Sequence, residues 1–175
     1  MPLKTNIEGM VWKYPDTFVV GREQVRQYAR AVKSAAPASV DEAAAAELGH
    51  DALIAPLTFA AVFAVMIQNH FFQHVDVGLE TMQIVQVDQK FLFHRPIRVG
   101  DALTGTMHVE TVDERFGADI VTTRNVCAEL DGTVVMESFT TLMGHEGDNS
   151  ISVKWDPETG QVVRTAEADA GLVAD

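Results

Sequence analysis

A single cysteine, Cys127, stands among the 175 residues, so no internal disulfide can form. That suits a chain kept in a reducing cytoplasm. Its place inside an apolar, strand-like run predicts a buried and inert thiol. Basic residues are scarce as well: 13 Lys and Arg against 25 Asp and Glu give a formal net charge of −12. Sequence-independent nucleic-acid binding needs Lys and Arg to meet phosphates, so this balance argues against it. It argues equally against attraction to an anionic membrane surface. The first ten residues, MPLKTNIEGM, hold no apolar run after their lysine, so no signal peptide is read there. No internal repeat and no interdomain linker is evident. The length fits one domain, and a 47% hydrophobic content is ample for its core.

Charge is missing altogether from residues 56–73, PLTFAAVFAVMIQNHFFQ. A helix apolar on all sides is a buried helix, whereas a surface helix shows one apolar stripe. Pro56 suits a first helical position, where its absent N–H has no partner to lose. A membrane span is the rival reading and needs roughly 18 consecutive apolar residues. The proline on one side and Gln68, Asn69 and His70 on the other cut the run short.

Around this segment the chain alternates. Residues 17–20 are β-like and lead into a helix in which Val25, Tyr28, Ala29 and Val32 share a face. Residues 41–48, DEAAAAEL, read as a short helix with acids at its positive end and Gly49 as its stop. Four strands follow, at 82–93, 103–112, 118–130 and 133–143. In the first, Val85, Val87, Phe91 and Phe93 alternate with Gln86, Asp88 and Lys90. Asp131-Gly132 between the third and fourth is a strong hairpin signal. The fourth is mixed on both faces, as a strand covered on both sides would be. Short turns imply antiparallel pairing. The plan is α+β: a sheet curled around a central apolar helix. Residues 1–146 read as this domain. Residues 147–175 read as a polar tail with one turn at 156–160 and a disordered end.

The segment VKSAAPASVDEAAAAELGHDALIAPLTF resembles a degraded signature of the hot-dog-fold (R)-specific enoyl hydratases and 3-hydroxyacyl dehydratases. Pro37, Asp41, Gly49 and Ile54-Ala55 match that pattern, as does the stretch around residues 87–101. More widely, IEGMVWKYPDTFVVGREQ, DVGLETMQIVQVDQ, VDERFGADIVTTRN and TTLMG resemble the non-catalytic subunits, above all the C subunit, of the (3R)-hydroxyacyl-ACP dehydratases of mycolic acid elongation. The resemblance implies one hot dog per chain. It also implies pairing with a second, catalytic hot dog (a HadB-like chain) and an acyl carrier protein presenting a long 3-hydroxyacyl group.

The departures carry the functional reading. Catalytic members use an aspartate and a histidine as acid and base around a water; Ser34 and Ser39 stand at those positions, and Ala36 at the asparagine position. A serine hydroxyl is a very weak base without a neighbour to activate it. The resemblance therefore implies a catalytically silent chain whose partner supplies the Asp and His. At the helix start, Pro56 and Leu57 replace the family's His-Gly, and no Ser, Thr, Asp or Asn caps it. The first amides there are left for tertiary contacts, water or a thioester oxygen. Pro56, Leu57, Ala61, Gln86 and Asn125 are the expected substrate-binding positions, with Ala60, Ala61 and Ala64 leaving room for an acyl chain. No cofactor is expected.

Other groups invite simpler readings. His70 and His74 share one helical face, but Phe71 and Phe72 stand where a zinc-peptidase glutamate would be, so no metal is expected. Lys90, Arg95 and Arg98 form a small basic cluster, either a carrier-protein patch or an ordinary solvated edge. A hot-dog thioesterase would place a carboxylate near the central helix, yet no Asp or Glu lies between Asp51 and Asp76. An acyl-binding scaffold without turnover stays open.

Overall fold

The computed structural model describes residues 5–77, 82–115, 117–146, 151–156, 159 and 161–166. Two short strands, β1 (Val11–Lys13) and β2 (Phe18–Val19), precede α1 (Arg22–Ala31). A 3-10 turn (Pro37–Ser39) and α2 (Glu42–Glu47) lead to a second 3-10 turn (Leu57–Phe59), which runs into α3 (Ala60–His74). The long strands β3 (Met82–Phe93), β4 (Ala102–Arg115), β5 (Ala118–Glu129) and β6 (Val134–Glu146) follow, then β7 (Ile151–Asp156) and β8 (Gln161–Ala166).

The main sheet is antiparallel, in the order β1-β4-β5-β6-β3, with β2 also on β4. It packs on α3 as the hot-dog fold expected from the sequence. Phe63, Ile67 and Phe71, four residues apart, are buried against it. Gly105 of β4 lies directly beneath Phe63 and Ile67. The Asp131-Gly132 turn closes the β5–β6 hairpin with Gly132 at φ 91°, a conformation that glycine adopts without strain. Cys127 is fully buried, and burial pushes its thiol up to about 12. Among the described residues no helix is long and apolar enough to cross a membrane.

Several local expectations are corrected. Pro56 does not begin the helix: with φ −54° and ψ 146° it is extended and precedes the 3-10 turn. The preceding Ala55 is still tied to the strand connection, its amide donating to Ile97 O at 2.8 Å. Nor is α3 buried all round. Its far side leaves Val65 and Met66 exposed, as is Leu57 just before it.

In β3 the alternation breaks at a bulge between Gln86 and Asp88. One extra residue reverses which face each side chain takes. Gln86 pairs with buried Leu142 while Phe91 pairs with buried Ser138, so Gln86 shares the helix-facing side with Phe91 and Phe93. Val85 stands on the opposite face, and Val85 and Val87 are both about half exposed. β6 looked mixed because its buried face itself carries polar groups, Ser138 and Thr140.

Within the tail, β7 and β8 pair as a hairpin, with Asp156 opposite Gln161. Disorder is expected from the sequence over the last ten residues; of these Ala166 ends β8, and 167–175 lie outside the described residues.

Candidate functional site

The segment between α1 and α3 folds back on itself to make a pocket. α1 stops where Lys33 takes φ 53°, turning the chain so that the Ser34 amide donates to Ala29 O at 2.8 Å. The 3-10 turn at Pro37–Ser39 follows, and Asp41 caps α2 by accepting from Ala43 N. The Ile54 amide donates to Ala38 O at 3.0 Å, pinning this loop to the strip that enters α3. On the other side the Tyr28 hydroxyl donates to Thr58 O at 2.8 Å.

Between these elements lies an open pocket of about 730 Å³. Ser34, Ser39, Pro56 and Leu57 all line it, so four positions singled out in the sequence meet at one place. Ser39 is buried and Ser34 half-buried, its hydroxyl accepting from Ala36 N at 3.4 Å. No side chain caps the entry to α3, and neither the Leu57 nor the Thr58 amide has a backbone acceptor among the described residues. These two N–H groups remain to meet a carbonyl or water at the pocket wall.

His50 also lines the pocket, a residue that no motif or spacing in the sequence singles out. Its place follows from the Gly49 turn (φ 80°), which the sequence showed only as a helix stop. No carboxylate is among the lining residues. Of the carboxylates close by in sequence, Asp41 caps α2 and Asp51 pairs with Arg98 at 3.2 Å. A lone imidazole with two serine hydroxyls holds no acid–base pair of the carboxylate–imidazole kind.

Three expected positions lie outside this pocket. Ala61 is half-buried on α3, and Gln86 is exposed on the helix-facing side of β3. Asn125 is buried in mid-sheet, where its Nδ2 donates to Ser138 Oγ at 3.3 Å. Its Oδ1 is buried with no partner among the described residues.

The basic cluster does not act as one. Arg95 pairs with Asp101 at 2.7 Å and with Glu129, and Arg98 pairs with Asp51 and Asp101. Lys90 lies apart, over the Phe139 ring. His70 and His74 do share one face of α3, their rings stacked 4.2 Å apart, and Trp12 Nε1 donates to His70 Nδ1 at 3.0 Å.

A family model for the FAS1-like dehydratase domain region matches residues 7–138, which include the pocket and most of the sheet. A UPF0336 protein of Mycobacterium tuberculosis is 62% identical over 166 residues, 95% of this chain and 100% of its own. One from Mycobacterium leprae is 61% identical over the same span. Among solved structures, a chain of the C-terminally truncated HadBC (3R-hydroxyacyl-ACP dehydratase) complex of M. tuberculosis is 60% identical. It superposes with a TM-score of 0.76 over 81% of this chain and 99% of that one. A MaoC-like dehydratase is 32% identical with a TM-score of 0.76, over 97% of this chain and 49% of its own length. The likeness thus runs from the N-terminal strands through the pocket and across the sheet, and this chain belongs to the FAS1-like dehydratase-domain family.

Proposed function

We propose that the chain is the non-catalytic, substrate-channel subunit of a heterodimeric (3R)-hydroxyacyl-ACP dehydratase in the type II fatty-acid (mycolic acid) elongation of its host. The observation that carries this reading is the pocket itself. Its two signature positions hold Ser34 and Ser39, and no carboxylate is among its lining residues. Positioned acid–base groups contribute about 100- to 10,000-fold each to such a step. A partner hot dog supplies them: its base takes the C2 proton, its acid protonates the departing 3-hydroxyl, and a trans-2-enoyl thioester and water result.

The open side of the fold supports a partner. β3 is an edge strand, its own Val85 and Val87 are exposed, and α3 leaves Val65 and Met66 uncovered. A second hot dog laid edge to edge with β3 extends the sheet and covers these groups. In that arrangement Gln86 and Asn125 lie on the helix-facing side of the sheet, where an acyl chain passes, and the open amides of Leu57 and Thr58 face a carbonyl. The lone buried Cys127 suits a cytoplasmic setting.

The test is a dehydratase assay of the purified chain alone and after co-expression with a hot-dog partner bearing the intact Asp and His, on long 3-hydroxyacyl thioesters. Activity only in the pair is expected. Activity of the chain alone sinks the reading, and none in any pairing leaves an acyl-binding scaffold instead.

A further inference from the structure

After β6 the chain forms a hairpin that belongs to no larger sheet. Among the described residues β7 and β8 pair only with each other and are not joined to the main sheet. Their register sorts the residues onto two faces. On one, Trp155 stands opposite Val162, Val153 opposite Arg164 and Ile151 opposite Ala166. On the other, Ser152 is opposite Thr165, Lys154 opposite Val163 and Asp156 opposite Gln161. Arg164 alone breaks the first, apolar face, and Val163 alone the second, polar one. A lone two-stranded hairpin is marginal in water and needs a packing partner to hold its shape.

The place where the hairpin is tethered says what that partner is. β6 ends at Glu146, which is paired with Met82, the first residue of β3. β3 is the last strand of the sheet on that side. Neighbouring strands lie about 4.8 Å apart, so a strand added beyond β3 would run roughly 10 Å from β6. The five residue steps from Glu146 to Ile151 span at most about 18 Å. The hairpin is thus held within reach of whatever adjoins the free edge. The MaoC-like dehydratase that matches 97% of this chain does so with 49% of its own length. That one polypeptide has room for a second unit of this size. The part of this chain left unmatched is shorter than β7 and β8 together, so the match runs into the hairpin.

We propose that the β7–β8 hairpin is a clasp whose apolar face lies on the partner hot dog, across the joint at β3. The proposal rests on the two-chain reading above, since a partner laid against β3 brings apolar surface within the tether's reach. Covering Ile151, Val153, Trp155 and Val162 orders the hairpin as the pair forms. Because it is tethered, the clasp acts as a second contact of the same complex and strengthens the pair without touching the reacting groups.

The experiment labels the full chain with 5-fluorotryptophan and titrates it with an unlabelled hot-dog partner bearing the intact Asp and His. Trp12→Phe assigns the Trp155 fluorine resonance. That resonance is expected to differ between H2O and D2O in the chain alone and to lose this solvent sensitivity in the pair. A chain ending at Glu146 is a sound variant, because the C-terminally truncated HadBC chain, which matches 81% of this one, has the same fold. It and the full-length Val153→Ser/Val162→Ser variant are each expected to bind the partner about tenfold more weakly or worse. The saturated pair keeps its kcat within about twofold. Equal affinity in all three chains, or a Trp155 resonance still sensitive to solvent in the pair, overturns the clasp and leaves the two-chain reading standing. So does a resonance already insensitive in the dilute chain alone, which puts the hairpin on its own body. One that turns insensitive as the chain is concentrated without partner puts it on a second copy and overturns the proposal as well. If neither the full nor the shortened chain pairs with any such partner, the two-chain reading fails, and the clasp with it.

Discussion

Phe63 of α3 rests on the bare backbone of Gly105 in β4, so closely that a Cβ built there would lie 2.8 Å from the ring, with Ile67 nearer still. This contact sets how near the helix approaches the sheet. Gly105→Ala is expected to lower stability by about 1–3 kcal/mol through overpacking, read as a fall in the urea midpoint. Ile67→Val in the same chain gives back part of that loss. Equal and additive effects of the two changes would show that they do not share this seat.

The silence of Ser39 predicts tolerance. Its hydroxyl makes no hydrogen bond among the described residues, although the side chain is buried. Ser39→Ala is expected to shift stability by less than about 1 kcal/mol. It should leave the rate of a two-chain complex within about twofold, a change well under 1 kcal/mol in barrier. A loss of a hundredfold would mean that the hydroxyl takes part in the chemistry.

Two carboxyls predict opposite responses to pH. Glu137 accepts hydrogen bonds from His94 at 3.1 Å and Arg124 at 3.0 Å, and these hold its carboxyl below the ordinary 4.5. Its contribution is present above that value and is lost as pH falls through the lower folded one. Glu137→Gln should therefore cost about 1 kcal/mol near neutral pH and nothing in strong acid. Asp119 is shifted the other way, upward from 3.8 by burial. The folded state then favours its neutral form, so stability is full below that value and declines as pH rises through the folded one. Asp119→Asn should stabilise the protein near neutral pH and lose that gain in acid. Chemical denaturation across a pH series checks both.

Asp101 is the hinge of the charged cluster at the β3–β4 turn. It is buried, accepts from Arg95 Nη1 at 2.7 Å, and holds the Arg98 amide at 3.0 Å. Without Asp101, Arg95 keeps Glu129 and Arg98 keeps Asp51, so the main loss is the acceptor of the Arg98 amide and one ion pair. Asp101→Ala is expected to cost about 1–3 kcal/mol by urea denaturation. Arg98→Ala, with Arg98 paired to the exposed Asp51, should cost about 1 kcal/mol or less.

The N–H of Trp12 ends on an imidazole rather than in water. His70→Leu leaves that donor without its acceptor and should cost about 1–2 kcal/mol, with Trp12 emission shifted to the red in a Trp155→Phe background. Unchanged emission would show that the indole finds another acceptor.

The long strands were legible because alternation and turn chemistry are local: Asp131-Gly132 marks its hairpin whatever the strands pair with. The bulges were not. Val87 in β3 and Glu110 in β4 each add one residue without any change in composition, and every side chain beyond them changes face. For the same reason Val85 read as core, although water reaches it. The short strand β1 had no alternation long enough to find. The pocket was half legible: Ser34, Ser39, Pro56 and Leu57 could be named through a resemblance, whereas His50 enters through the path of the Gly49 turn. The sequence leaves the basic cluster open between a docking patch and a solvated edge; the ion pairs of Arg95 with Asp101 and Glu129, which come from other parts of the chain, could not be read from its own residues.

The open edge of β3 has a consequence for how the chain must be made. A strand paired on one side only, with exposed valines along it, is a template for the next molecule that presents an edge of its own. The bulge at Val87 and mutual repulsion between molecules of charge −12 oppose such self-association, but neither closes the edge. On the two-chain reading proposed above, a chain made in excess of its companion is an aggregation-prone orphan, and matched dosage of the two becomes a condition for recovering either in folded form.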